Sequence, residues 1–462
     1  MAGVVDPSHV ALHEVHRFPN GACASDGHLR WDIDGLFGEV LEGLERLARR
    51  FPDVESIGVD TWGVDYGLLG SDGELLAQPI AYRDGRTAEV IDAVHDRIAP
   101  DELYAINGLQ FLPFTTVYQL EAERRSACWG DAAHLLLLPD LLAYRLTGAL
   151  RTELTNASTT GLLDARSRQW STALLDRLEI APGQLPSLDR PGNVRGLVKR
   201  ELCGDLGLSP DTVVTTVGSH DTASAVVGVP SADRRFAYIA SGTWSLVGLE
   251  LDAPIITDAS RAENFTNEAG VDDRTRFLRN TGGLWLLQES MRTWDERGHP
   301  QLLADLLAEA AKLPAGGPLV DVGDDGFIPP GDMPARIVAA AAETSDANLP
   351  STPAAITRCI LDSLADAYAS TIHRATALAD REIDVAHVVG GGAQNALLCQ
   401  LTADRSGLPV AAGPVEATAL GNVLIQARAH GAVPGQLDEI RQQLARHVVL
   451  QRYEPRTSLE QP

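Results

Sequence analysis

Lysine is nearly absent from this 462-residue chain. Only Lys199 and Lys312 occur, so arginines make up 36 of the 38 basic residues. P-loop NTPases need a lysine in a G-x-x-x-x-G-K-[ST] loop, and protein kinases need one on a V-A-I-K-like strand. Neither lysine lies in such a motif, so both classes are excluded. Schiff-base chemistry is disfavoured for the same reason.

Cysteine, positive charge and long apolar runs are also scarce. The five cysteines are scattered without a C-x-x-C pair, which argues against a disulfide framework or a zinc knuckle and fits a reducing compartment. The formal net charge of −25 makes nucleic acids and anionic membranes poor partners. No apolar run approaches the ~18 residues of a membrane span, and no export signal is visible. We therefore expect a cytoplasmic protein.

Apolar segments with strand character alternate with segments of helical periodicity, which predicts an α/β architecture. The predicted strands are 55–60, 135–138, 213–217, 236–240, 385–389 and 408–412. The predicted helices are 36–50, 140–146, 396–406 and 418–430. A short polar stretch at 228–235 predicts a domain boundary. Residues 314–345, rich in Gly, Pro and Asp, are predicted to be irregular with one strand, and those after 435 to be a surface tail.

Four polar loops follow predicted strands, where open α/β sheets bind ligands. Their sequences are DTWGVD (60–65), GSHDTASA (218–225), SGTWS (241–245) and GGGAQN (390–395). The first suits a sugar, or is a tight turn beside a core tryptophan. The third can cradle phosphate through backbone N–H groups, or is a plain β-turn. The fourth can bind a nucleotide, although Asn395 breaks the dinucleotide fingerprint.

The second loop offers a carboxylate, Asp221, ahead of small residues that can open a helix. A carboxylate in this position can act as a general base on a hydroxyl group. The competing interpretation is that Asp221 or Ser219 only caps that helix. The neighbouring His220 does not make a Ser-His-Asp triad, because such triads are assembled in space and not from consecutive residues.

Together and in this order, these loops resemble the FGGY family of carbohydrate kinases from about residue 14 to about residue 430. Further segments that carry the resemblance are IAYRDGRT, GLQFLPFTTVYQL, TNASTTGLLD, NFTNEAG and AGPVEATALGN. The resemblance implies two RNase-H-like domains of the actin and hexokinase type around a central cleft. It implies a sugar-binding domain at 1–228, a nucleotide-binding domain at 229–435 and a tail at 436–462.

The implied activity is ATP-dependent phosphorylation of a ketose, with Mg²⁺ bridging the phosphates. The segments DTWGVD, QFLP and TNEAG point to L-rhamnulose, phosphorylated at O1. The resemblance implies that Asp221 is the general base and that Gly63, His220 and Thr222 contact the sugar. It implies a sugar or phosphate contact for Asn280. The implied nucleotide contacts are Thr243, Gln288 and Gly391.

The apolar side chains Trp62, Phe111 and Phe114 are candidates for a pocket around the sugar's methyl group. Such a pocket discriminates by only ~1–3 kcal/mol, so related sugars are expected to react as well. We expect a monomer or weak homo-oligomer that acts on a small-molecule sugar and ATP, with no nucleic-acid or membrane partner.

The chain departs from the family pattern at its start. Family members open with a strand and hairpin that carry a D-x-G-x-x-S-G-R-like phosphate loop, whereas this chain begins Met1-Ala2-Gly3-Val4-Val5. We therefore expect the reading frame to begin upstream. The alternatives are a kinase for another ketose such as L-fuculose or L-xylulose, an actin-like ATP-binding protein, and an inactive truncated kinase.

Overall fold

A computed structural model describes residues 1–6, 9–344, 349–433 and 435–456. The strands are β1 (Ala2–Asp6), β2 (His9–His13), β3 (Cys23–Ser25), β4 (His28–Arg30), β5 (Ser56–Ile57), β6 (Tyr66–Leu69), β7 (His134–Leu137), β8 (Thr152–Glu153), β9 (Leu163–Asp164), β10 (Gln169–Trp170), β11 (Leu188–Asp189), β12 (Val194–Leu197), β13 (Val213–Thr215), β14 (Phe236–Ser241), β15 (Trp244–Leu251), β16 (Thr266–Ala269), β17 (Thr275–Gly282), β18 (Val385–Val389), β19 (Val410–Ala412) and β20 (Gln451–Tyr453). The helices are α1 (Ile33–Arg50), α2 (Ile91–Arg97), α3 (Pro100–Asn107), α4 (Thr116–Glu123), α5 (Leu138–Thr147), α6 (Leu154–Ala157), α7 (Thr172–Arg177), α8 (Arg200–Leu206), α9 (Asp221–Val227), α10 (Asp258–Ala262), α11 (Trp285–Glu296), α12 (Leu303–Ala311), α13 (Met333–Thr344), α14 (Pro353–Ala379), α15 (Ala396–Ser406), α16 (Ala417–Ala429) and α17 (Leu437–His447).

The chain divides into two compact units. Unit 1 consists of Met1–Gly228, Leu251–Arg276 and Thr418–His447. Unit 2 consists of Val229–Glu250, Phe277–Ala417 and the described residues from Val448 onward. Each unit therefore collects segments that are distant in sequence.

In unit 1, short strands are covered by helices. Strand β13 pairs in parallel with β5 and antiparallel with β12. The long helix α1 begins after Asp32, whose side chain accepts a hydrogen bond from the Gly35 N–H (2.9 Å) and so caps it. Its apolar stripe includes the buried Leu44 and Ala48, which share an apolar cluster with Ile57 of β5. Burial of this stripe holds the helix in place.

In unit 2, the strands form one sheet in the order β17-β15-β14-β18-β19-β20. Strands β14, β18 and β19 are parallel to one another, whereas β15 and β20 run antiparallel to their partners β14 and β19. The longest helix, α14, begins with a proline at its first position and a cap by Thr352, which accepts from the Ala355 N–H (3.3 Å). The parallel centre of the sheet is buried, as its run of apolar residues predicts.

Most predicted elements are present, two of them with their predicted bounds. The predicted strand 385–389 and helix 396–406 coincide with β18 and α15. The prediction for 314–345 is wrong: α13 occupies its C-terminal part, and no strand occurs within 314–344, the part that the structure describes. That helix buries Met333, Ile337 and Ala341 at i, i+4 and i+8, a periodicity hidden behind the loop-like composition before it.

Residues 436–456 contain α17, in unit 1, and β20, in unit 2. Helix α17 buries Leu437, Ile440 and Leu444. None of the described helices has the length and the apolar character needed to cross a membrane.

Candidate active site

The first two polar loops are joined edge to edge in unit 1. The backbone N–H of Thr61 donates to the carbonyl of Ser219 (2.9 Å), and the N–H of Asp221 donates to the carbonyl of Thr61 (2.8 Å). Thr61 and His220 thus form a parallel bridge. Backbone hydrogen bonds hold together two loops that are far apart in the sequence. The DTWGVD loop therefore lies beside the loop that carries Asp221, the predicted base.

Asp221 stands at the first position of α9 with its side chain 46% exposed. The N-cap position belongs to His220, and no side-chain hydrogen bond caps this helix. Asp221 therefore does not cap α9, which was the alternative to a role as general base. Its Oδ1 accepts a hydrogen bond from the Thr222 hydroxyl (3.1 Å). An oriented, accessible carboxylate of this kind can accept a proton from a bound hydroxyl group.

Glu153 anchors the loop that carries Asp221. Its fully buried carboxylate accepts hydrogen bonds from the backbone N–H (3.0 Å) and the hydroxyl (2.8 Å) of Ser219. It also accepts from the N–H (2.7 Å) and the hydroxyl (2.6 Å) of Thr155 and from the N–H of Asn156 (3.0 Å), which caps α6. One carboxylate thus ties the TNAS segment to the loop just before Asp221.

The DTWGVD loop contains one residue with a strained backbone conformation. Val64 has φ +67°, a left-handed conformation that a β-branched side chain rarely adopts. Its N–H donates to Thr159 Oγ1 (3.1 Å), and its carbonyl accepts from Thr116 Oγ1 (2.6 Å). A Cβ on Gly63 would lie 3.0 Å from that same Thr159 oxygen. These contacts hold the strained turn, as is common at binding sites.

Asp65 organises the aromatic side chains around this loop. Its carboxylate accepts hydrogen bonds from the indole N–H groups of Trp31 (2.7 Å) and Trp62 (2.9 Å), from the Tyr82 N–H (3.2 Å) and from Gln119 Nε2 (3.1 Å). Burial raises the pKa of Asp65 to about 6, against the opposing effect of these donors.

The three side chains suggested for a methyl pocket have different ring partners. Trp62 packs against Trp31, with ring centroids 4.3 Å apart. Phe114 packs against Tyr82 (5.3 Å), and the 45%-exposed Phe111 packs against Tyr118 (5.8 Å). Trp62 and Phe114 are linked through Gln119, whose Nε2 donates both to Asp65 and to the Phe114 carbonyl (2.9 Å).

A second carboxylate, Asp60, lies close enough to Asp221 to feel its charge. Asp60 accepts a hydrogen bond from Asn422 Nδ2 on α16. Burial, and to a smaller extent the charge of Asp221, raises the pKa of Asp60 to about 6. The Asn422 hydrogen bond works in the opposite direction.

Three residues that were not predicted from the sequence contact the loop that carries Asp221. They are Glu153, which binds Ser219, and Glu268 and Arg276, which lie against the His220 ring. Glu153 precedes the quoted TNAS segment and Glu268 lies within TNEAG, so both could have been singled out. Arg276 carries no signal in the sequence, since only the fold brings it to His220.

The other predicted residues belong to unit 2, where two loops leave the same edge of the sheet. Strands β14 and β18 are adjacent and parallel, and SGTWS and GGGAQN follow the carboxyl ends of these two strands. The two loops therefore lie at the same edge of the sheet. Thr243 is exposed in the turn between β14 and β15. Its carbonyl accepts from the Trp285 N–H (3.2 Å), and the Gly242 carbonyl accepts from the Leu284 N–H (2.9 Å), which ties this turn to the start of α11.

The glycines of GGGAQN allow close backbone packing against Ser241. Gly390 has φ +82°, and a Cβ there would lie 2.9 Å from the Ser241 carbonyl oxygen. A Cβ on Gly392 would lie 2.0 Å from Ser241 Oγ. Gly391 is exposed, and a Cβ there would meet no atom within 4 Å. Only the middle glycine of the three is therefore open for contact with a ligand.

Two predicted residues flank these loops. Asn280 is half-buried near the end of β17, and Gln288 is exposed on the first turn of α11. Both belong to unit 2 with Thr243 and Gly391, whereas Gly63, His220, Asp221 and Thr222 belong to unit 1. Among the described residues, His16, Glu39 and Glu42 form a group whose spacing could hold a metal ion, and it includes no predicted site residue.

Comparison with known proteins identifies the architecture. Residues 4–228 match the N-terminal domain model of the FGGY family of carbohydrate kinases, and residues 237–430 match its C-terminal domain model. The chain belongs to the FGGY family of carbohydrate kinases. Kinases of the FGGY family use ATP, so this chain is an ATP-dependent carbohydrate kinase.

Individual FGGY relatives agree with this. The chain is 41% identical to a rhamnulokinase of Klebsiella pneumoniae (strain 342), over 98% of the chain and 91% of the relative. It is 43% identical to a rhamnulokinase of Enterococcus faecalis, over 91% of the chain and 85% of the relative. The crystal structure of a gluconate kinase from Lactobacillus acidophilus covers 95% of the chain, and the match spans 87% of that structure, with a TM-score of 0.74 at 20% identity. The predicted two-domain α/β fold of the FGGY kinases is confirmed.

Proposed function

We propose that this chain transfers the γ-phosphoryl group of ATP to O1 of L-rhamnulose, giving ADP and L-rhamnulose 1-phosphate in rhamnose catabolism. Identity of about 40% to rhamnulokinases over nearly the whole chain supports this substrate. The half-exposed Asp221 carboxylate, held in a loop anchored by Glu153, is the single observation that carries the chemistry.

In this proposal Asp221 accepts the O1 proton as that oxygen attacks the γ-phosphorus. Oδ1 is engaged by the Thr222 hydroxyl, so we assign the proton to Oδ2. Gly63, His220 and Thr222 contact the sugar in unit 1. Asn280 is assigned a contact with the sugar or with the phosphates. A base so positioned contributes on the order of 10²–10⁴ to the rate.

We assign the nucleotide to unit 2, with Thr243 on the phosphates, Gln288 on the nucleotide and Gly391 against the adenosine. Thr243 and Gly391 are exposed in the two adjacent turns, and backbone N–H groups in turns of this kind suit phosphate oxygens without any lysine. Mg²⁺ enters with ATP as part of the nucleotide substrate and offsets the phosphate charge. We assign sugar binding to a domain at 1–228, nucleotide binding to a domain at 229–435 and a tail to 436–462. The separate domain models that match 4–228 and 237–430 support a division near residue 228.

We also propose that the enzyme works in the cytoplasm. None of its five cysteines, all within the described residues, forms a disulfide. Free thiols at Cys23 and Cys128, which are not buried, suit a reducing compartment.

The test measures ADP formation with L-rhamnulose, L-fuculose, L-xylulose and no sugar. We expect the highest kcat/KM with L-rhamnulose, and a fall in kcat of about 10²–10⁴ in Asp221→Asn. Asp205→Asn, a change at an exposed aspartate on α8, is the matched control and should leave kcat unchanged.

Each of the other outcomes contradicts the proposal in a different way. A higher kcat/KM with L-xylulose or L-fuculose would make the chain a kinase for that ketose. ADP formation independent of sugar would indicate an actin-like ATPase, and no ADP formation with any sugar would indicate an inactive kinase.

A further inference from the structure

The His220 ring lies between the buried ion pair of Arg276 with Glu268 and the proposed base, Asp221. Its side chain is only 10% exposed. Its Nδ1 faces inward, 3.1 Å from a terminal nitrogen (NH2) of Arg276 and 3.2 Å from Oε2 of Glu268. Its Nε2 lies on the other side, 3.7 Å from Oδ1 of Asp221. Each ring nitrogen therefore has a different electrostatic environment.

Arg276 is fully buried and is oriented from two sides. Its Nε donates to the Ala269 carbonyl (3.0 Å), and its NH2 group lies 2.9 Å from Oε2 of Glu268. These contacts aim the same NH2 group at His220 Nδ1. A guanidinium group carries only donors, so a hydrogen bond between the two requires an unprotonated Nδ1.

The two neighbours of Nδ1 favour the same assignment. Glu268 Oε2 also lies 3.2 Å from Nδ1, but only the contact between Nδ1 and Arg276 has the geometry of a hydrogen bond. The remaining proton of a neutral ring then belongs on Nε2, the edge that faces Asp221.

We propose that Arg276, oriented by Glu268, holds His220 as the neutral tautomer with its proton on Nε2, so that His220 presents an N–H donor beside the general base. Arg276 and Glu268 are then positioning residues that act through His220. An Nε2–H at this place faces Asp221 and can donate to a sugar hydroxyl. The sugar contact rests on the proposed function, whereas the tautomer does not.

The decisive measurement is ¹⁵N NMR of the full chain labelled at histidine, without ligand, at about pH 8, where an ordinary histidine is neutral. The His220 signals are assigned by their loss in His220→Gln. We expect a protonated Nε2 and an unprotonated Nδ1. A predominant Nδ1–H tautomer, or the mixture typical of a free imidazole, would overturn the proposal.

Variants separate the role of Arg276 in positioning from a role in folding alone. Removing one partner of a buried ion pair strands the other charge, so the main variant is the double change Arg276→Met with Glu268→Gln. We expect this variant to show a mixed His220 tautomer, whereas Arg276→Lys, which keeps a pure donor, retains Nε2–H. His95, whose Nε2 contacts the Tyr118 hydroxyl (2.9 Å), serves as the internal reference and should keep its signals in every folded variant. An unchanged His220 tautomer in the double variant would refute the role of Arg276.

Kinetics test the donor itself. A glutamine side chain can present an N–H near the position of Nε2, whereas asparagine is too short to do so. We expect His220→Gln to keep KM for the sugar within about threefold of the parent, and His220→Asn to raise it about tenfold, as expected for one lost hydrogen bond. Equal losses in the two variants would contradict the donor role. If L-rhamnulose is not the substrate, the NMR result is unaffected and only the choice of sugar fails.

Discussion

Asp65 illustrates how a single buried carboxylate positions several side chains of a binding loop. It is 1% exposed and accepts hydrogen bonds from four donors, one in its own loop and three in other segments of unit 1. Four donors suffice to satisfy both oxygens, yet burial still outweighs them and raises its pKa. The carboxylate therefore aligns Trp31 and Trp62 at a cost in stability that depends on pH.

Replacing this carboxylate should change how stability depends on pH. The pKa of Asp65 is about 6 in the folded chain against 3.8 in the unfolded chain, so the folded state binds more protons between these values and loses stability as pH rises. At about 1.4 kcal/mol per pKa unit, the loss from pH 4 to pH 7 is about 2 kcal/mol. We expect the unfolding free energy of the parent, relative to Asp65→Asn, to fall by that amount in urea titrations. Asp53→Asn, at an exposed site, should show no such trend, and an identical pH profile for Asp65→Asn and the parent would refute the prediction.

Neighbouring glycines in GGGAQN should respond differently to a methyl group. In Gly392→Ala the new Cβ would lie 2.0 Å from Ser241 Oγ, so we expect a loss of about 1–3 kcal/mol and a lower Tm. In Gly391→Ala the methyl group meets no protein atom within 4 Å, so Tm should stay the same while KM for ATP rises. Calorimetry and ADP assays on the pair check this. An unchanged KM for ATP in Gly391→Ala would remove the proposed adenosine contact.

At the scale of elements, the site depends on how loops are anchored and not on the loops alone. Helix α6 is only four residues long, yet its cap, Glu153, also holds Ser219 two residues before Asp221. Glu153 is also linked to the buried ion pair of Asp140 with Arg195. The Glu153 N–H donates to Asp140 (3.1 Å), and Asp140 accepts a hydrogen bond from Arg195 (2.7 Å). A short helix and the loop that carries Asp221 therefore share one buried polar network.

Glu153→Gln should damage catalysis as well as stability. The carboxylate accepts from five donors, and the amide would place an N–H donor against one of them. We expect this to lower the free energy of unfolding by about 1–3 kcal/mol. A displaced Ser219 shifts Asp221, so we expect kcat to fall at least about tenfold, because small misplacements of catalytic groups are costly. The measurement is kcat together with Tm.

The control for this variant removes a cap that lies away from the proposed base. Thr352→Ala deletes the N-cap of α14 and should lower stability by about 1 kcal/mol with kcat unchanged. If Glu153→Gln lowered Tm without lowering kcat, the anchoring role would be purely structural.

At the scale of the whole molecule, the dominant feature is the charge of −25. Exposed ion pairs such as Arg46–Glu42 and Arg49–Glu45 contribute little each, so the excess of carboxylates sets the net electrostatic effect. Self-repulsion of this kind destabilises compact states and is screened by salt over a Debye length of about 10 Å at 0.1 M.

Salt should therefore stabilise the chain at alkaline pH. We expect Tm at pH 8 to rise by a few degrees between about 10 mM and about 200 mM NaCl, because screening reduces the repulsion among carboxylates. Near the isoelectric point of about 4.8 the net charge is small, and the effect of salt should nearly vanish. A Tm that falls with salt at pH 8 would mean that ion pairs outweigh the net charge.

Much of the fold was predictable because its signals are local. Strand β18, helix α15 and most of α1 follow from apolar periodicity and from glycine or capping residues next to them in sequence. The strand predicted at 55–60 is limited to Ser56–Ile57, and the next pairing along this segment is the single bridge between Thr61 and His220.

The family, the alternation of strands and helices, and the loops that carry Asp221 and Thr243 follow from the sequence alone. The contacts of the loops around Asp221 follow only from the fold. Glu153, Arg276 and Asn422, which bind Ser219, His220 and Asp60, come from segments tens to hundreds of residues away, and a buried polar side chain has no sequence periodicity that reveals its partner. The scarcity of lysine is a similar case. Composition excluded two kinase classes, whereas the fold places the turns after β14 and β18 side by side, where the proposed function assigns the phosphates.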